Sequence, residues 1–102
     1  MYQYTNVFDN IIKNAIQDLK QHHMEEAEEK IKQAMLINPS SSIVHNLYGV
    51  LKELLGNDIL ARKYYRVANE FDPTYIPAIH NLDRIASRHH FNCNALIDFG
   101  DN

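Results

Sequence analysis

Laid against itself at a shift of 34 residues, the sequence shows two copies of one pattern. A fixed period of that size constrains a chain more than any local motif does, because it marks supersecondary units that stack on one another. The first copy runs through Ala15, Ala27, Ile31, Ala34, Asn38 and Pro39, and the second repeats that order as Gly49, Ala61, Tyr65, Ala68, Asp72 and Pro73. A third copy opens after Pro73 with Tyr75-Ile76-Pro77-Ala78-Ile79 and then loses the pattern. The small residues have a mechanical reason. Where two antiparallel helices cross, a side chain larger than methyl pushes their axes apart, so Gly49 and Ala61 are expected at such a crossing. Bulk comes from Ile31 and Tyr65, four residues beyond Ala27 and Ala61 and therefore on the same helical face.

Only 3 Gly and 3 Pro are present, and the stretches between prolines are rich in Ala, Ile, Leu, Glu, Lys and Gln. Such propensities predict helix nearly everywhere. A first helix is expected over about 6–21 with Thr5 as its cap, and a second over about 24–37, with His22-His23 as the tight turn between them. A third follows Ser40-Ser41-Ser42 and runs to Leu55, where Gly56 can take the left-handed conformation that closes a helix. The fourth, about 58–71, ends at Asp72-Pro73 because the residue before proline is pushed out of helical geometry. Pro77 suits the first turn of a fifth helix reaching Ser87 or His89. The chain thus divides into an extension, 1–5, a helical repeat domain, 6–89, and a tail, 90–102. The repeats fall at about 8–41, 42–75 and, in part, 76–89. Phe91, Leu96, Ile97 and Phe99 make the tail too apolar for a purely disordered end, whereas Gly100-Asp101-Asn102 is expected to be loose.

With these residues in place the sequence resembles the tetratricopeptide repeat family, whose pattern is an aromatic, then Leu-Gly, then Tyr, then Ala, an aromatic and Pro. The second copy matches best, with Tyr48-Gly49, Ala61, Tyr65, Ala68 and Pro73. It departs at His45, where the family has an aromatic, and at Lys52, where it has Tyr. The first copy puts Asn14 and Asp18 at the places of Leu and Tyr, and Asp83 replaces a small residue in the third. The resemblance covers roughly residues 8–87. It implies an all-α fold of about five helices, antiparallel hairpins stacked as a short right-handed α-solenoid. The first helix of each hairpin would line a concave groove.

Mapped residue by residue, that groove comprises Ile12, Ile16 and Leu19, then Asn46, Val50 and Glu53, then His80 and Arg84. Independently of any family, spacings of three and four put each set on one helical face. The surface is expected to be apolar at one end and polar, with one cation, at the other. The alternative is that Ile12, Ile16 and Leu19 are core, packed under Tyr2 and Tyr4 or under the tail, since apolar periodicity marks burial without naming what covers it. Some members of the family grip terminal carboxylates through Lys, Asn and Arg. The corresponding places here hold Ile12, Ile16, Leu47, Pro77 and Asn81, and four of these five cannot form that clamp.

Other classes of function find little support. A chain of 102 residues has room for one domain, and a net charge of −3 with no basic stripe argues against nucleic acid. No apolar segment approaches a membrane span, the start lacks the regions of a signal peptide, and a lone Cys93 makes no internal disulfide, so a cytoplasmic setting is expected. Six histidines and Cys93, densest in His89-His90-Phe91-Asn92-Cys93, match no standard zinc spacing. His22-His23 reads as a turn, His45 as a half-buried packing residue, and Glu25-Glu26-Ala27-Glu28-Glu29-Lys30 as a solvated face. A nucleophile paired with a base and a phosphate-binding glycine loop are both missing, so no catalytic residue, metal or cofactor is assigned. The expected function is a non-catalytic adaptor that binds a peptide or partner protein in the groove. The rival is a structural role, in which the uncovered end faces and the tail drive self-association.

Overall fold

The computed structural model describes residues 4–87 and 96–101. It is all-α, with five helices: α1 (Tyr4–Lys20), α2 (Met24–Ile37), α3 (Ser42–Leu54), α4 (Asp58–Phe71) and α5 (Ile76–Ser87). The helices α2 and α4 match the sequence expectation at both ends. By contrast α1 begins at Tyr4, so Thr5 lies within it and is not its cap. No Pro or Gly stops the helix there, and it extends past the expected start.

The repeat seen in the sequence is also a repeat of hydrogen bonds. After α1, His23 N–H donates to Asp18 O at 2.8 Å; after α3, Asn57 N–H donates to Lys52 O at 2.8 Å, each position 34 residues further on. Both helices close through a residue with positive φ, His22 at 61° and Gly56 at 85°. Gly accepts that conformation without steric cost, whereas histidine is among the few side chains that tolerate it. The ends of α2 and α4 match as well: Asn38 N–H donates to Ala34 O at 2.9 Å and Asp72 N–H to Ala68 O at 3.1 Å. Ser41 caps α3 by accepting from Val44 N–H, and Asn57 caps α4 by accepting from Leu60 N–H.

Small residues sit where the helices press together. Ala15, Ala27, Ala34, Ala61 and Ala68 are fully buried, as are Ile31 and Tyr65. A Cβ added to Gly49 would stand 2.5 Å from the Tyr65 ring and 3.1 Å from Ala61 O. In α3 and α4, then, the missing side chain of Gly49 makes the space that the Tyr65 ring fills. Each helix packs on the next, and α3 also meets both α1 and α5, while α2 and α4 do not touch. The helices α1, α3 and α5 therefore form one continuous row.

Departures from the family pattern have local partners. Asp18 pairs with Lys30, and Lys52, its counterpart one repeat on, lies 4.0 Å from Glu28 and 5.1 Å from the centre of the Tyr48 ring. His45 is buried; its ring stacks on Phe71 at 5.1 Å, and its Nδ1 lies 2.9 Å from Ser41 O. Asp83, where a small residue was expected, is exposed on α5. The acidic start of α2 is solvated except at Glu28, which also accepts from the Tyr48 hydroxyl at 3.3 Å.

Candidate functional site

Two asparagines on neighbouring helices meet where the row α3–α5 faces the C-terminal segment. Asn46 and Asn81 are completely buried, and Asn81 Nδ2 donates to Asn46 Oδ1 at 2.9 Å. Neither amide is spent on that contact alone. Asn81 Oδ1 accepts from Asp98 N–H at 2.9 Å, and Asn81 Nδ2 donates to Asp98 O at 2.9 Å. Asn46 Nδ2 donates to the same carbonyl at 3.1 Å. One side-chain amide thus closes on both main-chain groups of a single residue, as a neighbouring strand would in a sheet.

The orientation of Asn81 is fixed by what stands behind it. Arg84 Nη2 donates to Asn81 Oδ1 at 3.1 Å, and because a guanidinium only donates, the amide oxygen must face it. Arg84 in turn forks onto Glu53, with Nη1 on Oε2 and Nη2 on Oε1 at 2.6 Å, and the Tyr65 hydroxyl donates to Glu53 Oε1 at 2.7 Å. Glu53 is 8% exposed and Arg84 7%. A bidentate pair in that setting holds its geometry tightly. Burial disfavours the charge on Arg84, but the hydrogen bonds and charge of Glu53 outweigh it and hold its pKa above the usual value. Burial, then the Glu53 carboxylate, push the Tyr65 phenol well above its ordinary range. A polar chain therefore runs from Tyr65 in α4 through Glu53, Arg84 and Asn81 to the main chain of Asp98.

The tail adds its own contacts. Asp98 Oδ2 lies 2.8 Å from His80 Nδ1, and Asp98 Oδ1 accepts from Gly100 N–H at 2.9 Å. Asp101 Oδ2 is 2.5 Å from Lys20 Nζ, and that ammonium stands 5.2 Å from the centre of the Phe99 ring. Ile97 and Phe99 pack on the core cluster. Gly100, with φ of 80°, comes up against the Tyr75 hydroxyl. Burial, then the carboxylates of Asp98 and Asp101, push the Tyr75 phenol from 10.0 up to about 12.

No family model, curated protein or solved structure matches the chain.

Of the eight residues placed in the groove from sequence, Asn46 and His80 touch the tail directly. Glu53 and Arg84 stand behind, so Arg84, expected as the exposed cation, is a buried one already paired. Ile16, Leu19 and Val50 are buried in the cluster on which Ile97 and Phe99 pack, and Ile12 is half-buried against it. Lys20 and Tyr75 were missed, and Asn81, noted only as a place in the family's clamp, was left out of the groove set. Asn81 occupies the register of the fully buried Leu47 one repeat earlier, and a polar residue in a core register was its signal. Gly100 and Asp101, expected to be loose, have specific neighbours: Gly100 takes a positive φ beside the Tyr75 hydroxyl, and Asp101 pairs with Lys20.

Some sequence expectations fall elsewhere. Tyr2 and the cluster from His89 to Cys93 lie outside the described residues. Among the described residues no group of histidine, cysteine and carboxylate could hold a metal, and no helix is long and apolar enough to cross a membrane.

Proposed function

We propose that this chain is a non-catalytic interaction adaptor of the tetratricopeptide kind, which holds a short polypeptide segment across α3 and α5, its own residues 96–101 filling that place in cis. The supporting observation is the grip of Asn81 on both Asp98 N–H and Asp98 O, at 2.9 Å each. Those two groups occur in every non-proline residue, so what such a side chain recognises is polypeptide main chain. Glu53 and Arg84, the buried charges nearby, serve to aim that amide. A lone Cys93 suits the reducing setting of the cytoplasm.

The test uses the full chain with Gly100→Val, which opens the site by forbidding the positive φ in the tail. Adding a peptide with the sequence of residues 96–101 should shift the side-chain amide resonances of Asn46 and Asn81, and Asn81→Ala in the same background should abolish binding. Unmoved resonances at millimolar peptide would discard the reading. A second reading follows from the bound segment belonging to the same chain: two copies exchanging residues 96–101 would form a dimer through the same contacts. Light scattering of the unaltered chain separates the two, since tail exchange predicts a dimer that Gly100→Val dissolves.

A further inference from the structure

Resting on that peptide-binding reading, we infer which segment the site takes from a partner: an acidic linear motif in which an apolar residue and an aspartate precede an aromatic, a glycine and a second acid. The tail, Ile97-Asp98-Phe99-Gly100-Asp101, is a copy of it. Main-chain bonds to Asn46 and Asn81 accept any non-proline residue, but four neighbouring features do not.

The first is a glycine slot. Gly100 has φ of 80°, and a Cβ there would lie 2.3 Å from the Tyr75 hydroxyl oxygen and 3.6 Å from Pro77 Cγ. Any other residue meets both the cost of left-handed backbone and a collision with a phenol that is itself half-buried. The second is the aspartate before it. One oxygen faces His80 and the other accepts from Gly100 N–H, so the same carboxylate both binds the site and sets the turn that delivers the glycine. Glutamate is one methylene too long for that turn, and asparagine gives up the charge. The third and fourth share Lys20, whose ammonium lies near the face of Phe99 and bonds Asp101. Charge complementarity is local: the chain carries −3 overall, yet the Lys20 ammonium meets Asp101, and the His80 ring offers Nδ1 to Asp98. Arg84, committed to Glu53, leaves the reading of acids to these two.

Fluorescence polarisation with labelled peptides on the full chain carrying Gly100→Val measures this directly, and Phe99→Asp serves as a second way of opening the site. The peptide of residues 96–101 should bind the opened chain about tenfold or more tightly than it binds the unaltered chain, whose own tail competes. Gly100→Ala or Asp98→Asn in the peptide should weaken binding about tenfold, and Asp101→Lys several-fold, since that ion pair is partly solvated. Lys20→Glu in the opened chain should restore the Asp101→Lys peptide and weaken the native one. Equal binding of all these peptides would overturn the motif while leaving the main-chain grip intact. Failure of every peptide to bind either opened variant would overturn both the motif and the peptide-binding reading. A tail-exchanged dimer of the unaltered chain in sedimentation would make a second copy the occupant and overturn the foreign partner.

Discussion

Arg84 shows how much one side chain can carry. It neutralises Glu53, orients Asn81 and thereby sets the geometry offered to the tail, all while 7% exposed. Removing one member of a buried ion pair leaves the other charge uncompensated and costs about 3–5 kcal/mol, whereas replacing both by apolar residues is often close to neutral. Arg84→Met should therefore lower the unfolding free energy by about 3 kcal/mol or more. The double variant Glu53→Met/Arg84→Met should lose less, as urea denaturation will measure. The tyrosines give a second test. A phenol that holds its proton more tightly in the folded state stabilises the fold fully below its ordinary pKa and loses that contribution as pH rises through the folded one. For Tyr75 the window lies between 10.0 and about 12. Because Asp98 and Asp101 contribute to that shift, Gly100→Val should bring the Tyr75 titration back toward 10.0, visible in tyrosinate absorbance. Tyr65, buried against Glu53, should stay protonated until alkaline unfolding. Residues of this kind were only half legible. Spacing alone picked out Glu53 and Arg84, but that they would be buried and paired depended on α3 and α5 meeting, which no local spacing states.

At the scale of the element, the sequence was most legible where a breaker and a period agree. The helices α2 and α4 agree with the bounds expected, about 24–37 and about 58–71, because Pro39 and Pro73 follow their ends and a turn precedes each start. The start of α1 was not, since Thr5 has the chemistry of a cap without a break in the chain to make it one. The repeat itself contains a flaw that can be mended. His22 adopts φ of 61° where the second copy has Gly56 at 85°, so His22→Gly should stabilise the protein by about 1 kcal/mol through relief of left-handed strain. A lower melting temperature would show instead that the added freedom of the unfolded chain wins. The reverse substitution in spirit, Gly49→Ala, improves helix propensity by about 1 kcal/mol but drives a methyl to within 2.5 Å of the Tyr65 ring. Overpacking at such a distance costs about 1–3 kcal/mol, so a net loss of stability is expected in the same denaturation assay.

For the whole molecule, the row α1–α3–α5 and the segment 96–101 make one unit, joined by Asn81, His80 and Lys20 on the helical side. The apolar tail announced itself in the sequence through Leu96, Ile97 and Phe99, yet its address did not, because the address is a pair of amides 35 residues apart in the chain. Gly100→Val should release the segment while leaving the helices folded. Hydrogen exchange is expected to lose protection at the Asp98 amide and retain it through α3 and α4; unchanged protection at Asp98 would refute the role given to Gly100.

If residues 96–101 fill a partner's place, as proposed, a chain that plugs its own cleft answers visitors by degree. Tethered to the end of α5, the plug presents itself at an effective concentration on the order of millimolar. A visitor with merely equal intrinsic grip is turned away at ordinary abundance, while a better one dislodges the plug only past a threshold. On the proposed reading weak encounters would be filtered out, and loss of residues 96–101 would convert a discriminating receptor into an indiscriminate one.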